Sequence, residues 1–438
     1  HIRHGKDVIE LSVTETQKSD AVAALRHRTG ASAVIFIGDD VTDESVFEEL
    51  TGPDVGIKVG DGPTAAPWRV PGPPDVAQLL SELQELRQAW LLGGHAIAIE
   101  NYTLLSNMTT VALVSPRGSI DWFCAPEPDS PAIFSALLGD ATSGYFSIQP
   151  AGERRLLAQS YQRDSLNVRT RWAGLTVTDY MPIVEEGSAR HTSIIRHLSG
   201  SVPARIDFSP RPHFGIITTT IEVEPDGLRV TAGSENLALY APGIEWQIIE
   251  QSGHQSAVAT VDPSAGPITL ELRYGSYLRE SFVTESSSSV EAHTGRFWSS
   301  WLQTLRLPGI RLEAERRAAL TLRALCHRPT GGILAASTTS LPEKLGGIRN
   351  WDYRFCWIRD AALTARELVS VGSTDEADAF LAWLQLVDPA ESTLESLRPV
   401  YRLNRQGLGA EAVIESLPGY AGSRPVRVGN AAQGQLQI

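Results

Sequence analysis

Lysine is scarce in this chain. The 438 residues include only Lys6, Lys18, Lys58 and Lys344, and 51 acidic residues against 38 basic ones give a formal net charge of −13 at pH 7. Proteins that bind the phosphate backbone of nucleic acids neutralise it with clustered Lys and Arg side chains. We therefore expect no nucleic acid partner.

Cysteine is also rare. Cys124, Cys326 and Cys356 are the three cysteines, and they lie far apart in the sequence. An odd number of widely spaced cysteines argues against both a disulfide framework and a zinc cluster. This pattern favours a reducing compartment, so the sequence predicts a cytoplasmic location.

Long apolar runs are absent as well. No run of about 18 apolar residues occurs, so we expect no membrane-spanning helix. The first six residues have no apolar stretch behind them, as a signal peptide would, and the chain does not begin with Met. We expect this chain to be an internal part of a longer protein, with two or three domains in its 438 residues.

Residues 1–86 carry the pattern of an α/β unit. A helix is predicted over Lys18–Arg28, and the apolar run Ala33–Ile37 is typical of a strand buried on both faces. A further strand is predicted over Val55–Val59. A helix with one apolar face follows it, and Asp75 is a candidate N-cap of that helix.

An acidic loop, Gly38–Glu44, follows the predicted buried strand directly. Ligands of open α/β sheets bind beyond the carboxyl ends of the strands, and carboxylate oxygens suit Mg²⁺. Asp39, Asp40 and Asp43 are the candidate metal ligands. The alternative is a solvated acidic turn that caps the next helix, and the spacing of the residues leaves both hypotheses open.

The same loop, with the sequence Gly-Asp-Asp-Val-Thr-Asp-Glu, resembles the last motif of trehalose-6-phosphate phosphatases in the haloacid dehalogenase superfamily. The segments Val59–Ala66 and Trp68–Val70 resemble the end of that family, so the similarity covers about residues 1–86 and the C-terminal third of such a domain. The resemblance implies Mg²⁺ as a cofactor and trehalose 6-phosphate as a substrate.

By this resemblance Asp39 binds Mg²⁺, while Asp40 and Asp43 are further ligands or their supports. Lys18 stands where the family places a lysine that steadies the phosphoryl group, and Ser19 stands where the family usually has Gly. The nucleophile of these phosphatases lies in an Asp-x-Asp motif, and none precedes Lys18 here. We therefore expect no phosphatase activity from this chain alone.

Residues 98–285 change character, because helical periodicity gives way to alternation of apolar and polar residues. Ile268, Leu270 and Leu272 alternate with polar side chains, and turn residues recur between such runs. This pattern predicts an antiparallel β-sandwich, with Trp122 and Phe134 in its core. A linker over residues 87–97 separates it from the α/β unit.

A serine run, Ser286–Ser289, marks the next boundary. We predict a helical linker over residues 286–309 and an all-α region over residues 310–438. Ala361, Ala365 and Leu368, for example, share one helical face.

The segment Asn350–Asp360 has the composition of a sugar site. It contains the aromatic residues Trp351, Tyr353, Phe355 and Trp357, and it ends in Arg359-Asp360. Aromatic rings stack on the apolar faces of sugars, and an Arg–Asp pair can bind hydroxyl groups through charge-assisted hydrogen bonds. The alternative is a buried aromatic turn with a structural Arg–Asp ion pair.

Residues 98–438 resemble glycoside hydrolase family 15, which contains glucoamylase-like, glucodextranase-like and trehalase members. The resemblance lies in Asp121-Trp122, in Asp129-Ser130-Pro131 and in the segment Asn350–Asp360. It implies a β-sandwich of the family type followed by the first part of an (α/α)6 barrel over residues 310–438.

The resemblance also implies roles for individual residues. Arg359 and Asp360 would hold hydroxyl groups of the glucose in the −1 subsite, and Tyr353 and Trp357 would line that subsite. A second substrate-lining loop is implied by Leu417–Ala432. Its candidate substrate contacts are Tyr420, Arg424 and Arg427.

Inverting glycosidases need two carboxylic groups about 6.5–9.5 Å apart, one as general acid and one as general base. Family 15 supplies both from glutamates in later helices of the barrel. Glu411 and Glu415 do not stand in those contexts, and no acidic residue follows Asn430. We therefore expect the catalytic pair to be missing from this chain and the chain alone to be inactive.

The leading hypothesis is an internal part of a bifunctional enzyme that joins a trehalose-6-phosphate phosphatase to a family 15 α-glucosidase. Its substrates would be trehalose 6-phosphate and trehalose or another α-glucoside. Two alternatives remain open: a glycosidase acting on maltooligosaccharides or dextran, and a degenerate sugar-binding protein without catalysis.

Overall fold

The computed structural model describes residues 2–5, 8–11, 17–29, 31, 33–91, 96–152, 155–184, 193–275, 287–387 and 397–434. The chain divides into two compact units, His1–Leu91 and Leu92–Ile438. Among the described residues, none of the helices has the length and apolar character needed to cross a membrane. The three cysteines are unpaired and buried.

The first unit is built on a small parallel sheet with the strand order β3-β4-β5, and a separate antiparallel hairpin pairs β1 with β2. Its elements are β1 (Ile2–Gly5), β2 (Val8–Leu11), α1 (Lys18–Thr29), β3 (Ile35–Gly38), α2 (Glu44–Glu49), β4 (Val55–Val59), β5 (Trp68–Val70) and α3 (Pro73–Leu91).

Helix α1 and strand β4 lie where the sequence predicts them. The strand predicted over Ala33–Ile37 is present as β3, but it begins only at Ile35 and is not buried on both faces, since Ile35 is 52% exposed. The reason is its place in the sheet, since β3 is an edge strand that pairs with β4 alone among the described strands. The N-cap prediction for Asp75 is wrong, because α3 begins at Pro73 and Asp75 lies in its first turn.

The second unit begins with two eight-stranded sheets in which neighbouring strands are antiparallel. The first has the order β19-β20-β15-β10-β8-β7-β6, with β9 also paired to β8, and the second has the order β11-β12-β13-β14-β21-β18-β17-β16. The strands of the first sheet are β6 (Thr103–Ser106), β7 (Val111–Val114), β8 (Ser119–Cys124), β9 (Ala132–Phe134), β10 (Tyr145–Pro150), β15 (Ala204–Ser209), β19 (Gln247–Gln251) and β20 (His254–Val261). Those of the second are β11 (Leu156–Tyr161), β12 (Val168–Trp172), β13 (Leu175–Tyr180), β14 (Ser193–Gly200), β16 (Thr220–Glu224), β17 (Gly227–Ala232), β18 (Glu235–Tyr240) and β21 (Ile268–Tyr274).

The two sheets pack face to face over one apolar core, so the predicted β-sandwich is confirmed. The core combines side chains such as Phe146 and Phe208 of the first sheet with Val177 and Leu239 of the second. The rings of Phe146 and Phe208 meet edge to face with their centroids 5.2 Å apart, a favoured aromatic geometry. Phe134 lies in this core, as predicted, whereas Trp122, which is equally buried, lies in a separate apolar cluster with Leu417 and Tyr420. The predicted end of the sandwich, residues 276–285, lies outside the described residues, as do residues 92–95 of the predicted linker.

One buried ion pair ties the two sheets together. Arg196 on β14 forms a forked contact with Asp179 on β13, with Nε–Oδ1 and Nη2–Oδ2 distances of 2.8 and 3.2 Å. The same guanidinium group donates hydrogen bonds to the backbone carbonyls of Phe146 and Gly118 in the first sheet. Neither charged side chain is exposed to solvent, so the guanidinium depends on these partners to offset the loss of its hydration.

After the sandwich the chain is mainly helical, with α4 (Ser287–Thr304), α5 (Leu312–Ala324), α6 (Ile358–Ser370) and α7 (Asp375–Gln385). Short strands form two-stranded ladders between them: β22 (Thr339–Pro342) with β23 (Asn350–Asp352), β24 (Cys356–Trp357) with β25 (Val400–Tyr401), and β26 (Ala412–Val413) with β27 (Arg427–Val428).

The prediction of an all-α region over residues 310–438 is therefore wrong in part. Gly- and Pro-rich segments interrupt the helical pattern after α5 and after α7, and their backbone groups are satisfied by the short ladders. Helix α4, Ser287–Thr304, begins inside the Ser run and lies within the helical linker predicted over residues 286–309. The helices pack through an apolar cluster that includes Trp298, Leu320 and Trp383. The (α/α)6 barrel stays a prediction.

We predict that Arg196→Met lowers the free energy of unfolding by about 3–5 kcal/mol, because it leaves the Asp179 carboxylate buried without its partner. The double change Asp179→Val/Arg196→Met removes both charges and should lower the free energy of unfolding by clearly less. Urea unfolding followed by circular dichroism measures both effects.

The control is Arg205→Met. Arg205 pairs with Asp207 at the surface, and an exposed pair contributes at most about 1 kcal/mol. Equal losses of unfolding free energy in Arg196→Met and Arg205→Met would contradict the importance of the buried pair.

Candidate functional site

The aromatic segment runs from β23 through a turn into β24 and the start of α6. Trp357 is the N-cap residue of α6 and has an extended backbone conformation, with φ −82° and ψ 120°. Arg359 and Asp360 therefore lie in the first turn of α6. Asp360 thus stands among the residues where a carboxylate interacts favourably with the helix dipole.

Four predicted site residues meet at this helix end. The rings of Tyr353 and Trp357 lie with their centroids 5.7 Å apart and their planes inclined by 47°. The Arg359 guanidinium carbon is 6.0 Å from the Trp357 ring centroid, and Arg359 Nη2 donates to Asp360 Oδ2 at 3.1 Å. The structure thus brings an aromatic pair and an Arg–Asp pair into one place.

These side chains are open to solvent to different degrees. The side chains of Arg359 and Asp360 are 62% and 39% exposed, and Tyr353 is 37% exposed. Partial burial, together with the negative charges of Glu343 and Asp360, raises the pKa of Tyr353, so its hydroxyl group stays protonated at neutral pH. An exposed Arg–Asp pair has hydrogen-bonding capacity left for a ligand, which the alternative of a purely structural pair would not have.

A buried ion pair that the sequence analysis missed lies directly beneath this surface. Arg354 is only 2% exposed. Its Nε and Nη2 donate to Oδ1 and Oδ2 of Asp352 at 2.9 and 2.7 Å. Burial alone would lower the pKa of Arg354, but the adjacent carboxylate of Asp352 raises it, so the guanidinium group stays charged. The Asp-x-Arg spacing between aromatic residues was the available signal for such a pair.

The Asp352–Arg354 pair holds three segments of the chain together. Arg354 Nη1 donates to the Ser130 carbonyl at 2.6 Å and lies 3.5 Å from Cys124 Sγ, both in the sandwich. Asp352 Oδ2 accepts a hydrogen bond from the Gly429 amide at 3.1 Å. Burial raises the pKa of the Cys124 thiol to about 11, so this thiol is neutral and unreactive.

A cavity of about 380 Å³ lies beside the same pair, lined by residues of the sandwich and of the helical region. Its charged lining residues include Asp129, Arg354 and Arg402. Asp129 is buried, and its Oδ2 lies 3.2 Å from Arg402 Nε. Burial raises the pKa of Asp129, while Arg402 and Arg354 oppose the shift. The remaining lining is mostly apolar, including Phe214, Phe355, Leu408 and Ile414.

Tyr420 is buried in an apolar cluster of the second unit. Its ring packs in that cluster with Trp122 and Leu417, and its hydroxyl group donates to the Ile97 carbonyl at 2.9 Å. These contacts stabilise the fold, and the predicted contact of Tyr420 with a substrate stays a prediction.

Arg427 is close to the aromatic segment but is already engaged. Its Nε lies 3.0 Å from Glu411 Oε1, and its Nη1 donates to the carbonyls of Ile348 and Asn350 at 3.0 Å each. Its guanidinium carbon also lies 4.5 Å from the Trp351 ring centroid. These contacts fix the aromatic segment from the side of the second loop and leave little capacity for a substrate.

Arg424, the third predicted residue of this loop, is exposed. Its Nη2 donates a long hydrogen bond to the Glu415 carbonyl, at 3.4 Å. The structure therefore gives the two predicted arginines of the loop different positions: Arg427 is anchored and Arg424 faces solvent.

In the acidic loop, Asp40 and Asp43 form a capping box. Asp40 Oδ1 accepts from the Val41 amide at 2.6 Å, and Asp43 Oδ2 accepts from the Asp40 amide at 2.9 Å. Lys18 Nζ donates to Asp43 Oδ1 at 2.7 Å. Lys18 thus contacts the acidic loop, and the carboxylates of Asp40 and Asp43 accept backbone hydrogen bonds within the turn Val41–Asp43. The phosphoryl-binding role of Lys18 stays a prediction.

Lys58 was missed as a support of this loop. It is buried on β4, and its Nζ donates to the carbonyls of Asp39 and Asp40 and to Glu44 Oε1, each at 3.2 Å. No group of three or more His, Cys, Asp or Glu side chains converges within the described residues as a metal-binding cluster would. The metal-binding roles of Asp39, Asp40 and Asp43 stay a prediction; of the three carboxylates Asp39 is exposed, Asp40 is partly buried and Asp43 is buried.

Two family models match this chain. Residues 85–298 match the model described as "Trehalase-like, N-terminal", and residues 309–438 match "Glycosyl hydrolases family 15". The chain is 32% identical to a trehalase of Thermoplasma acidophilum (74% of this chain, 56% of that protein) and 33% identical to trehalase 2 of Sulfolobus acidocaldarius (77% and 58%). It spans about half the length of these curated relatives. The chain therefore contains a trehalase-like N-terminal region and a family 15 region.

A shorter similarity concerns trehalose-6-phosphate phosphatases. Over 96 residues the chain is 35% identical to the trehalose-6-phosphate phosphatase of Escherichia coli, which covers 20% of this chain and 35% of that protein. Over 86 residues it is 37% identical to the bifunctional trehalose-6-phosphate synthase/phosphatase of Thermoproteus tenax, which covers 20% of this chain and 11% of that protein.

We predict that Arg427→Met lowers the free energy of unfolding by about 1–3 kcal/mol, because it leaves Glu411 and two backbone carbonyls without their donor. Arg424→Met, in the same loop, should change it by less than about 0.5 kcal/mol, as is usual for surface substitutions. Urea unfolding of the two variants measures the difference. A larger cost for Arg424→Met would contradict the anchoring role of Arg427.

Proposed function

We propose, on the premise that residues 85–438 contain trehalase-like and family 15 regions, that the protein hydrolyses trehalose and that this chain supplies part of its sugar site. The observation that carries the proposal is the convergence of Tyr353, Trp357, Arg359 and Asp360 at the N-terminus of α6. The site lies within the region that matches family 15.

Each of the four residues has a role that fits its chemistry. Asp360 accepts hydrogen bonds from sugar hydroxyl groups, and Arg359 donates to their oxygens. Tyr353 and Trp357 offer apolar ring faces to the C–H face of a glucose residue. Because Arg359 and Asp360 are also paired with each other, their relative orientation is set before the sugar arrives.

Hydrolysis with inversion also needs a general acid and a general base about 6.5–9.5 Å apart. We assign neither role to a residue of this chain. The proposal therefore gives residues 350–360 the task of binding and orienting glucose in the −1 subsite.

Trehalose is the substrate that the similarity supports, since curated relatives of this chain carry the name trehalase. The residues of the site bind a single glucose residue and do not distinguish trehalose from maltooligosaccharides or dextran. A glycosidase acting on those sugars is the second candidate, and a sugar-binding protein without catalysis is the third.

The test is the protein in its natural length with Asp360→Asn. We expect kcat/KM for trehalose to fall roughly 10- to 100-fold, which corresponds to the loss of a charge-assisted hydrogen bond. The control is Glu367→Gln on the same helix, where Glu367 forms an exposed pair with Arg366 and should leave hydrolysis unchanged.

The wild-type measurements separate the candidates. Faster hydrolysis of maltose than of trehalose would favour the second candidate. Trehalose binding in a calorimeter without any turnover would favour the third. An active enzyme that is indifferent to Asp360→Asn would show that the sugar site lies elsewhere.

For residues 1–91 we propose a second activity in the same protein, the Mg²⁺-dependent hydrolysis of trehalose 6-phosphate. It is supported by the similarity to trehalose-6-phosphate phosphatases and by the acidic loop after β3. Among the candidate ligands Asp39 is the exposed one, and Mg²⁺ typically takes one or two protein carboxylates. When bound, the ion would neutralise phosphate charge, while Lys18, Lys58 and Asp43 would hold the loop in shape.

We predict that the 438-residue chain releases no phosphate from trehalose 6-phosphate with Mg²⁺, because no Asp-x-Asp precedes Lys18 to supply a nucleophile. The protein in its natural length should release it, and Asp39→Asn should abolish the release. Asp61→Asn, at an exposed carboxylate after β4, is the control. Phosphate release by the 438-residue chain would refute this expectation.

A further inference from the structure

Tyr353 lies between the two members of a buried charged pair. Asp352 and Arg354 are buried, while Tyr353 between them is partly exposed. The side chains of Asp352 and Arg354 pair with each other on the buried side of the segment. The buried pair therefore fixes the direction in which Tyr353 points, and with it the ring partner of Trp357.

The partners of Arg354 come from the sandwich. Its Nη1 donates to the Ser130 carbonyl at 2.6 Å and to the Pro128 carbonyl at 3.4 Å. Trp122, on the neighbouring strand β8, donates from Nε1 to the Ser337 carbonyl at 2.8 Å in the helical region. The sandwich loop Cys124–Ser130 thus contacts the aromatic segment through backbone carbonyls that accept hydrogen bonds from Arg354.

Asp352 makes the matching contacts to the second loop. Its Oδ2 accepts from the Gly429 amide, and its backbone carbonyl accepts from Asn430 Nδ2 at 3.0 Å. One charged pair therefore connects the sandwich, the aromatic segment and the loop that carries Arg427. A shift of any of the three moves the other two.

We propose that Asp352 and Arg354 are positioning residues through which the sandwich loop Cys124–Ser130 sets the geometry of the sugar site. This inference rests on the proposed glycoside hydrolysis. It assigns the sandwich a part in catalysis: without its carbonyl acceptors, Arg354 would not hold Tyr353, and the Arg359–Asp360 clamp would meet the sugar in a different orientation.

Stability and positioning must be separated, because removing one member of a buried ion pair destabilises any protein. Replacing both members by apolar residues of similar volume is often close to neutral for stability. The double variant Asp352→Val/Arg354→Met therefore removes the directed hydrogen bonds without leaving a buried charge.

The chain offers a matched control. Arg196 and Asp179 form a fully buried forked pair with two backbone carbonyl acceptors, as Arg354 and Asp352 do, but they lie inside the sandwich core. The variant Asp179→Val/Arg196→Met removes the same charges and the same kind of contacts. The two double variants differ in whether the pair supports the aromatic segment.

The experiment measures kcat, KM and the melting temperature of both double variants in the protein of natural length, well below their melting temperatures. We expect similar melting temperatures. For Asp352→Val/Arg354→Met we expect a 10- to 100-fold loss in kcat/KM that includes a lower kcat, and for the control a change of less than about threefold. Equal kcat/KM values in the two double variants would overturn the proposal.

A milder pair of variants covers the case in which the double variant does not fold. Arg354→Lys keeps the positive charge beside Asp352 but cannot reproduce the forked contact or reach Ser130 at the same time. We expect it to lose three- to tenfold in kcat/KM, with Arg196→Lys unchanged. Identical behaviour of the two lysine variants would again overturn the proposal.

Failure of the positioning role can be distinguished from failure of the proposed function. If wild-type protein hydrolyses no α-glucoside, the proposed function fails. If wild-type protein is active and Asp360→Asn is impaired while the Asp352/Arg354 variants match their controls, the sugar site stands and the positioning role is refuted.

Discussion

The desolvated guanidinium group of Arg354 constrains the whole functional region. A buried cation is tolerated only when every donor finds an acceptor and a counter-charge lies close by. Asp352 supplies the counter-charge, and the sandwich supplies carbonyl acceptors. The sandwich and the helical region must therefore pack in one fixed register, because a shift of either would leave the buried guanidinium group without its acceptors.

The same principle recurs at smaller scale. Arg196 joins the two sheets through the carbonyls of Phe146 and Gly118, and Arg427 joins the second loop to the aromatic segment through those of Ile348 and Asn350. In each case a planar guanidinium group with several donors links its own strand to backbone segments with which that strand forms no β-ladder. Such bridges suit arginine, whose donors form a rigid fork, and the chain uses arginine for nearly all of its positive charge.

Much of this could be predicted from the sequence. The period-2 alternation of strands such as β21 predicted the sandwich, and the aromatic run before Arg359 predicted which side chains meet at α6. These features depend on local patterns, which a sequence displays directly. The edge position of β3, the burial of Tyr420 and the anchoring of Arg427 depend instead on which distant segments come together. Asp40 and Asp43 show a third case, because a capping box and a metal-binding loop use the same residues at the same spacing.

The Cys124 thiol lies against the guanidinium group of Arg354 and is sealed from solvent. A thiol in that position reacts with an alkylating reagent only while the surrounding contacts are open. The rate of Cys124 alkylation thus measures how often the contact between the sandwich and the aromatic segment opens.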